Sequence, residues 1–222
     1  MKRTSLLLLA IAVFGCTKEI TTEATKTETS SSEQNSTVAT DTYLPLTTGT
    51  FWKYNVINSS GNAQPTTQTV LAKQKSIKGK TYHAVKSVSP NNTDTLYYSQ
   101  TQHDYYAYTP SGTSGLEVLF LKDNASAGTT WSTTAGTAGG KTVKCFGKIV
   151  ATNTTIKVGN TTYKNVIHST VDIREPVLFS DVTVNTQDFY VAKNIGIVKN
   201  ISTNKVPSKS VITTNIVGYS IK

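Results

Sequence analysis

The chain has 222 residues, of which about 180 remain beyond an N-terminal leader and a polar stretch, a length that suits one domain. A domain of that size buries roughly 70% of its unfolded surface and needs no disulfide staples. Residues 43–222 hold eighteen basic residues against eight acids, but seventeen of the eighteen are Lys and only Arg174 is an Arg, which argues against a nucleic-acid reader built on bidentate Arg contacts. The lysines are scattered along the chain, which reads as a solvated surface; broad attraction to anionic lipid or polysaccharide is the other reading. Thr, Asn, Ser, Val and Tyr are abundant, and β-branched and aromatic side chains suit pleated strands rather than helices.

Taken in chain order, Lys2 and Arg3 precede an apolar run from Leu6 to Phe14, then Gly15 and Cys16. That run is about nine residues long, whereas a membrane-spanning helix needs about twenty, so residues 1–15 read as a signal peptide. Val13-Phe14-Gly15-Cys16 resembles the bacterial lipobox, with Phe14 departing from the small or aliphatic residue usual at its place. The resemblance implies cleavage after Gly15, diacylglycerol on Cys16 and further acylation, of the palmitate kind, at the new amino terminus. Two or more acyl chains anchor stably, because each buried methylene contributes about 0.8 kcal/mol. Thr17 after the cysteine points to the outer membrane, with the face left open.

Residues 17–42 are almost wholly Thr, Ser, Glu, Lys, Gln, Asn and Ala. They cannot bury enough apolar area to offset the entropy of ordering, so 16–42 is expected to be a lipidated cysteine followed by a disordered tether. From Tyr43 to the end, short alternating runs broken by turn signals predict a single all-β domain over 43–222. Trp52, Tyr54 and Val56 share one face of a first strand, and a turn follows at 59–62. Further strands are expected at 66–75, 80–88, 94–100, 104–109 and 116–121. The Gly-, Ala- and Thr-rich stretch 129–140 is expected to be a mobile loop. After it come strands at 141–151, 154–158, 161–174, 177–184, 187–193, 195–201 and 211–221. In 161–174, Tyr163, Ile167, Val171 and Ile173 oppose Lys164, His168, Thr170, Asp172 and Arg174, one dry face and one wet. Val158-Gly159-Asn160-Thr161 and Asn194–Gly196 are hairpin turns. With little helix anywhere, the expected architecture is an antiparallel β-barrel or half-open barrel, with a sandwich as alternative.

Four segments together resemble the uncharacterised secreted lipoproteins common in Bacteroidetes. They are Tyr43-Leu44-Pro45-Leu46 with Gly49 and Trp52-Lys53-Tyr54; Gly128-Thr129-Thr130-Trp131; Tyr163-Lys164-Asn165-Val166-Ile167; and the run from Phe189 to Lys199. That family opens on Y-x-P-L-x-x-G-x-x-W-x-Y and closes near Y-A-K-G-V-G-L-V-K. It implies no agreed activity, and some members look like half-open barrels similar to lipid-carrier lipoproteins. Read physically, the same residues shape the entry to the first strand and a late hairpin.

No catalytic or metal signature is legible. His83, His103 and His168 stand far apart with no second ligand at metal spacing. Gly112-Thr113-Ser114-Gly115 is not a nucleophile elbow, which needs one residue between the Ser and each Gly. No pair among the eight acids is singled out. Cys145 reads as a small buried hydrophobe without a partner. The expectation is therefore a protein that is not an enzyme and needs no cofactor. Tyr97, Tyr98, Tyr105, Tyr106 and Tyr108 cluster across a hairpin turning near Gln102-His103-Asp104. They form either cross-strand pairs that stabilise the sheet or an outward platform for sugars or lipid headgroups. Asp94-Thr95-Leu96 resembles the short O-glycosylation signal of Bacteroidetes.

Three functions follow as expectations. The first is an outer-membrane-anchored lipoprotein that binds an apolar or amphipathic ligand, with Trp52, Tyr54 and Ile167 lining a dry cavity. The second is a structural or assembly partner of another envelope protein. The third is a glycan-binding module using Tyr98, Tyr106 and Tyr108. The membrane, reached through Cys16, is the common partner, and nucleic acid is not one.

Overall fold

The computed structural model describes residues 41–222 except 112, 113, 178 and 179; the leader, Cys16 and nearly all of the tether lie outside the described residues. Twelve strands follow one another with no helix among the described residues: β1 (Phe51–Ile57), β2 (Ala63–Ile77), β3 (Lys80–Ser89), β4 (Asn92–Thr101), β5 (Asp104–Ser111), β6 (Ser114–Lys122), β7 (Thr130–Ala138), β8 (Lys141–Val158), β9 (Thr161–Val177), β10 (Ser180–Ala192), β11 (Gly196–Asn204) and β12 (Ser210–Ser220). All pair antiparallel in one sheet of order β6-β5-β4-β3-β2-β1-β12-β11-β10-β9-β8-β7. The sheet curls into a nearly closed all-β barrel. Every neighbouring pair except one is a local hairpin. The exception is β1 with β12, where Phe51 faces Ser220 and Ile57 faces Thr213.

The alternation of the sequence appears as alternation of burial. Along β1, Trp52 and Tyr54 are buried while Lys53 is exposed, and along β9 Val171 and Ile173 are buried while Asp172 and Arg174 between them are half-exposed. The hairpin turns fall where Gly and Asn take positive φ, as at Gly159 (58°) and Asn194 (62°), conformations that cost other side chains more. Two pairs of expected strands are single ones. The stretches 141–151 and 154–158 form one β8 of 18 residues, and 177–184 and 187–193 merge into β10. Bulges explain both cases. The β8–β9 register shifts between Ala151 and Thr154, next to Asn153 at φ 52°, and the β9–β10 register shifts between Thr183 and Asn185.

The stretch 129–140 is not a loop. It forms β7, paired with β8 from Thr130 opposite Lys148 to Ala138 opposite Lys141. Small residues are needed there because β7 lies close to β6. A methyl group on Gly136 would sit 2.4 Å from the Gly115 carbonyl oxygen. Trp131 lies across Gly147 and donates its indole N–H to the Leu119 carbonyl at 3.1 Å, and the Ser169 hydroxyl donates to the Phe120 carbonyl at 2.5 Å. These bonds tie β7 and β9 to β6, whose residues from Leu116 to Leu121 are all buried. Six consecutive buried residues mean that β6 is covered on both faces.

Candidate functional site

The two ends of the barrel differ. One is plugged by the segment that leads into β1. The Thr42 hydroxyl donates to Gln100 Oε1 at 2.7 Å, the Asn194 amide donates to the Thr42 carbonyl at 2.7 Å, and the Tyr43 amide donates to the Tyr105 hydroxyl at 3.2 Å. Tyr105 in turn donates to Asp123 Oδ2 at 2.6 Å; burial, then this bond, pushes its phenol up to about 12. Trp52 belongs to the same end. It is 1% exposed and its indole N–H donates to the Ile195 carbonyl at 2.5 Å. Thr42 and Trp52 thus close this end against the Asn194–Gly196 loop.

The other end is open and holds a cleft of about 480 Å³. Its apolar wall is formed by Tyr54, Val56, Leu96, Tyr98, Phe189 and Ile197. Facing this are neutral polar side chains from the inner faces of neighbouring strands, among them Gln64, Thr66, Gln68, Ser87, Asn200 and Thr214, with Asp94 the one charged group of the lining. The register accounts for the set: Tyr54 is opposite Thr66, Gln68 opposite Ser87, Val56 opposite Thr214, and Phe189 opposite Asn200. Beneath it the rings of Tyr98, Phe120 and Phe189 pack together, with centroids 6.3 Å and 5.0 Å apart. Burial pushes the Tyr98 phenol up to about 12 and that of Tyr54 well above its ordinary range, so both stay neutral. Tyr54 spends its hydroxyl hydrogen on the Ile197 carbonyl at 3.0 Å.

Deeper along β10 and β11, Asn185 Nδ2 donates to Ser202 and to Asn204 at 2.9 and 2.7 Å. Gln187, wholly buried one pair farther along, has neither amide atom in a hydrogen bond. Buried amides are costly when unpaired, so the interior retains polar capacity beside its aromatic packing.

The residues singled out from sequence therefore separate. Tyr54 and Tyr98 line the cleft together; Trp52 is in the plug, and Ile167 is buried in the core. Tyr106 and Tyr108 sit on the outer face, half-buried. Tyr108 packs against Tyr82 at 5.9 Å and Tyr97 at 6.2 Å, and Lys80, paired with Glu117 at 2.9 Å, covers the Tyr106 ring at 4.5 Å. These rings lean on one another rather than lying flat and open. Sequence reasoning missed the polar half of the cleft, because Gln64, Thr66, Ser87, Asn200 and Thr214 carry no motif; only their inward parity on strands could have marked them.

Groups with chemical potential are occupied structurally. His103 pairs with Asp123 at 2.6 Å, and His168 with Asp188 at 3.0 Å while stacked on Tyr190. Cys145 is fully buried and burial pushes its thiol up to about 12, away from the reactive thiolate. Among the described residues no three His, Cys, Asp or Glu side chains are placed to share a metal ion.

No protein-family model matches the sequence, and no curated protein matches it. A solved structure described as a candidate lipoprotein from Parabacteroides distasonis superposes with a TM-score of 0.50, covering 81% of this chain and 99% of its own at 12% identity. The two share a fold. At that identity the likeness extends to nothing else. A second structure, described as a candidate exported protein with a YmcC-like fold from Bacteroides fragilis, gives a TM-score of 0.46 over 82% and 100% of the two chains at 9% identity, and nothing below is drawn from it.

Proposed function

We propose that this protein is an envelope lipoprotein, held to the outer membrane through Cys16, that binds an apolar or amphipathic ligand without transforming it. The observation that carries the reading is the open cleft of about 480 Å³ with an aromatic and aliphatic wall facing a neutral polar one. Ligand sites are commonly concave, several hundred Å³ in volume and largely apolar with a few placed polar groups. A hydrocarbon segment would lie on Tyr54, Leu96, Tyr98 and Phe189. A carbonyl, hydroxyl or amide head would meet Gln64, Gln68, Ser87 and Asn200. With Asp94 the one charged group of the lining, an anionic head is a poor fit.

This support is stronger than that for the other readings. A partner-docking surface calls for a contiguous apolar patch, whereas the large exposed hydrophobics among the described residues are Val88, Val150, Val177 and Val217, on different strands. A sugar platform calls for open rings, and Tyr106 and Tyr108 are packed edge-on and covered.

The test is mass spectrometry of organic extracts of the natively purified protein, beside titration with an environment-sensitive hydrophobic dye. Thr214→Trp, at a half-buried lining position, should fill the cleft and weaken dye binding at least about tenfold, the loss of about 1.4 kcal/mol. Its unfolding midpoint should stay near that of the parent. Dye binding untouched by the bulky residue, with no extractable amphiphile, would remove the cleft as the binding site.

A further inference from the structure

Two acid-free stretches of the chain, distant in sequence, become one wall of the barrel. Residues 43–93 contain six Lys and residues 189–222 five, and neither stretch contains a single Asp or Glu. They are far apart in sequence, but β1 pairs with β12, so β3-β2-β1-β12-β11 form five adjacent strands. All eight acids of the folded part fall elsewhere: Asp94, Asp104, Glu117 and Asp123 on or after β4–β6, and Asp172, Glu175, Asp181 and Asp188 on β9–β10. Of the other basic residues, Lys122, Lys144 and Arg174 pair with Asp104, Asp181 and Asp172, while Lys141, Lys148, Lys157 and Lys164 fall in a third acid-free stretch, 124–171, on β8 and the start of β9.

On the five-strand wall and its connections, Lys80 reaches across to Glu117 and Lys193 to Asp41, while the other nine lysines make no ion pair among the described residues. Lys53 and Lys86 are exposed on the outer faces of β1 and β3, and Lys199 is half-exposed on β11. Each flanking lysine stands two strands from Lys53, about 10 Å across the strands at ordinary spacing, and is offset by about two residues along them. The register shift between Lys53 and Tyr54 bulges β12 beside them and pushes out Val217, the most exposed large hydrophobic residue described, at 66%. Lys73, Lys75 and Lys78 extend the positive surface along the β2–β3 hairpin, and Lys205 and Lys209 along the β11–β12 turn. Apart from Glu117 at Lys80 and Asp41 at Lys193, the lysines of this surface meet no carboxylate in an ion pair among the described residues and add to one positive field, with spacings of the order of the screening length of about 8 Å at physiological salt.

We infer that this wall docks on the headgroups of an anionic phospholipid bilayer, laying the barrel along the membrane. The occupant follows from charge complementarity, from lone lysines with long apolar stems around a single protruding valine, and from the acyl anchor. This last point rests on the proposed lipidation of Cys16, which would keep the wall within a tether's length of a bilayer. An acyl anchor and a basic surface together bind more firmly than either alone.

The full chain bearing Cys16→Ser, which has no acylation site, should sediment with phosphatidylcholine vesicles containing phosphatidylglycerol and not with phosphatidylcholine alone. High salt should release it. Lys53→Gln, Lys86→Gln and Lys199→Gln combined should weaken this binding by about a hundredfold, each lysine near an anionic surface being worth roughly a factor of five. The corresponding Glu triple variant, which reverses each charge, should weaken it further. Lys148→Glu, Lys157→Glu and Lys164→Glu on β8 and β9 change the net charge equally and should leave binding within about twofold. Equal loss in the two charge-reversed proteins, binding to neutral vesicles as tight as to anionic ones, or retention only on an acidic polysaccharide would each overturn the inference. Lipidation is read separately from the intact mass of the wild-type protein, so failure of the anchor and failure of the wall are distinguishable.

Discussion

Cys145 shows how burial converts reactive side chains into structural ones. It lies opposite Thr133 and Ile173, has no exposure, and holds its proton to about pH 12, whereas an unfolded thiol loses it near 8.5. Tyr98 and Tyr105 behave alike, being pushed from the ordinary phenol value of 10.0 up to about 12. All three keep protons in the folded state that the unfolded chain releases. Stability should therefore be level up to about pH 8 and fall as pH rises toward 12. Cys145→Val should remove the part of that decline that starts lowest, while the tyrosines with raised phenols, Tyr54, Tyr98, Tyr105 and Tyr106 among them, retain the rest. Urea midpoints measured from pH 7 to 11 check this; a midpoint that rises with alkalinity would contradict it. In the native protein Cys145 should also resist alkylation until denaturant is added.

Strands with strong alternation were legible in the sequence, and β7 was not. In β1 and β9 large apolar residues mark the buried parity, so period 2 stands out. Along β7 the inward positions include Trp131 and Ala135 among Thr, Ser and Gly, so large apolar residues do not mark a buried parity. At Gly136, where an added Cβ would meet the Gly115 carbonyl, the small residue is the consequence of crowding. The same crowding makes Gly147 a sensitive position. A Cβ there would lie 2.0 Å from the Trp131 ring, and the indole would have to leave both its seat and the Leu119 carbonyl. Gly147→Ala should cost about 1–3 kcal/mol, the range for overpacking a well-filled core. Trp131→Phe added to Gly147→Ala should then cost less than the sum of the two single changes, since each relieves the other. Denaturant unfolding of the four proteins measures this, and strict additivity would show that the two side chains do not compete. The cleft was half legible for a related reason. Tyr54 and Tyr98 stand out as aromatics, whereas Ser87 or Thr214 is indistinguishable from a surface residue until pairing shows which way it faces.

The feature least visible in one dimension is the pairing of the first strand with the last. Lysines that look evenly spread along the chain gather on one wall only because residues 51–57 meet residues 213–220, and no local pattern announces a contact of such sequence separation. The same pairing makes a specific demand on folding. Every other neighbour is a hairpin, so the β1–β12 contact carries most of the loop-closure entropy. If the natural ends were joined through a short linker between Lys222 and Thr42, and new ends opened between Asn124 and Ala125 in the exposed connection from β6 to β7, the order would become a plain meander from β7 round to β6. All hydrogen-bonded pairings would then be local, while the packing of β6 on β7 and β9 becomes the distant contact. Where strand pairing sets the rate, folding speeds up as pairing becomes local, so this permutant should refold faster than the parent. Its unfolding slope with denaturant should stay unchanged, because the surface buried is the same. Stopped-flow refolding followed by the fluorescence of Trp52 and Trp131 would read the rate. Slower refolding with an intact final structure would show that the β6–β7 connection, rather than the β1–β12 contact, organises the barrel as it forms.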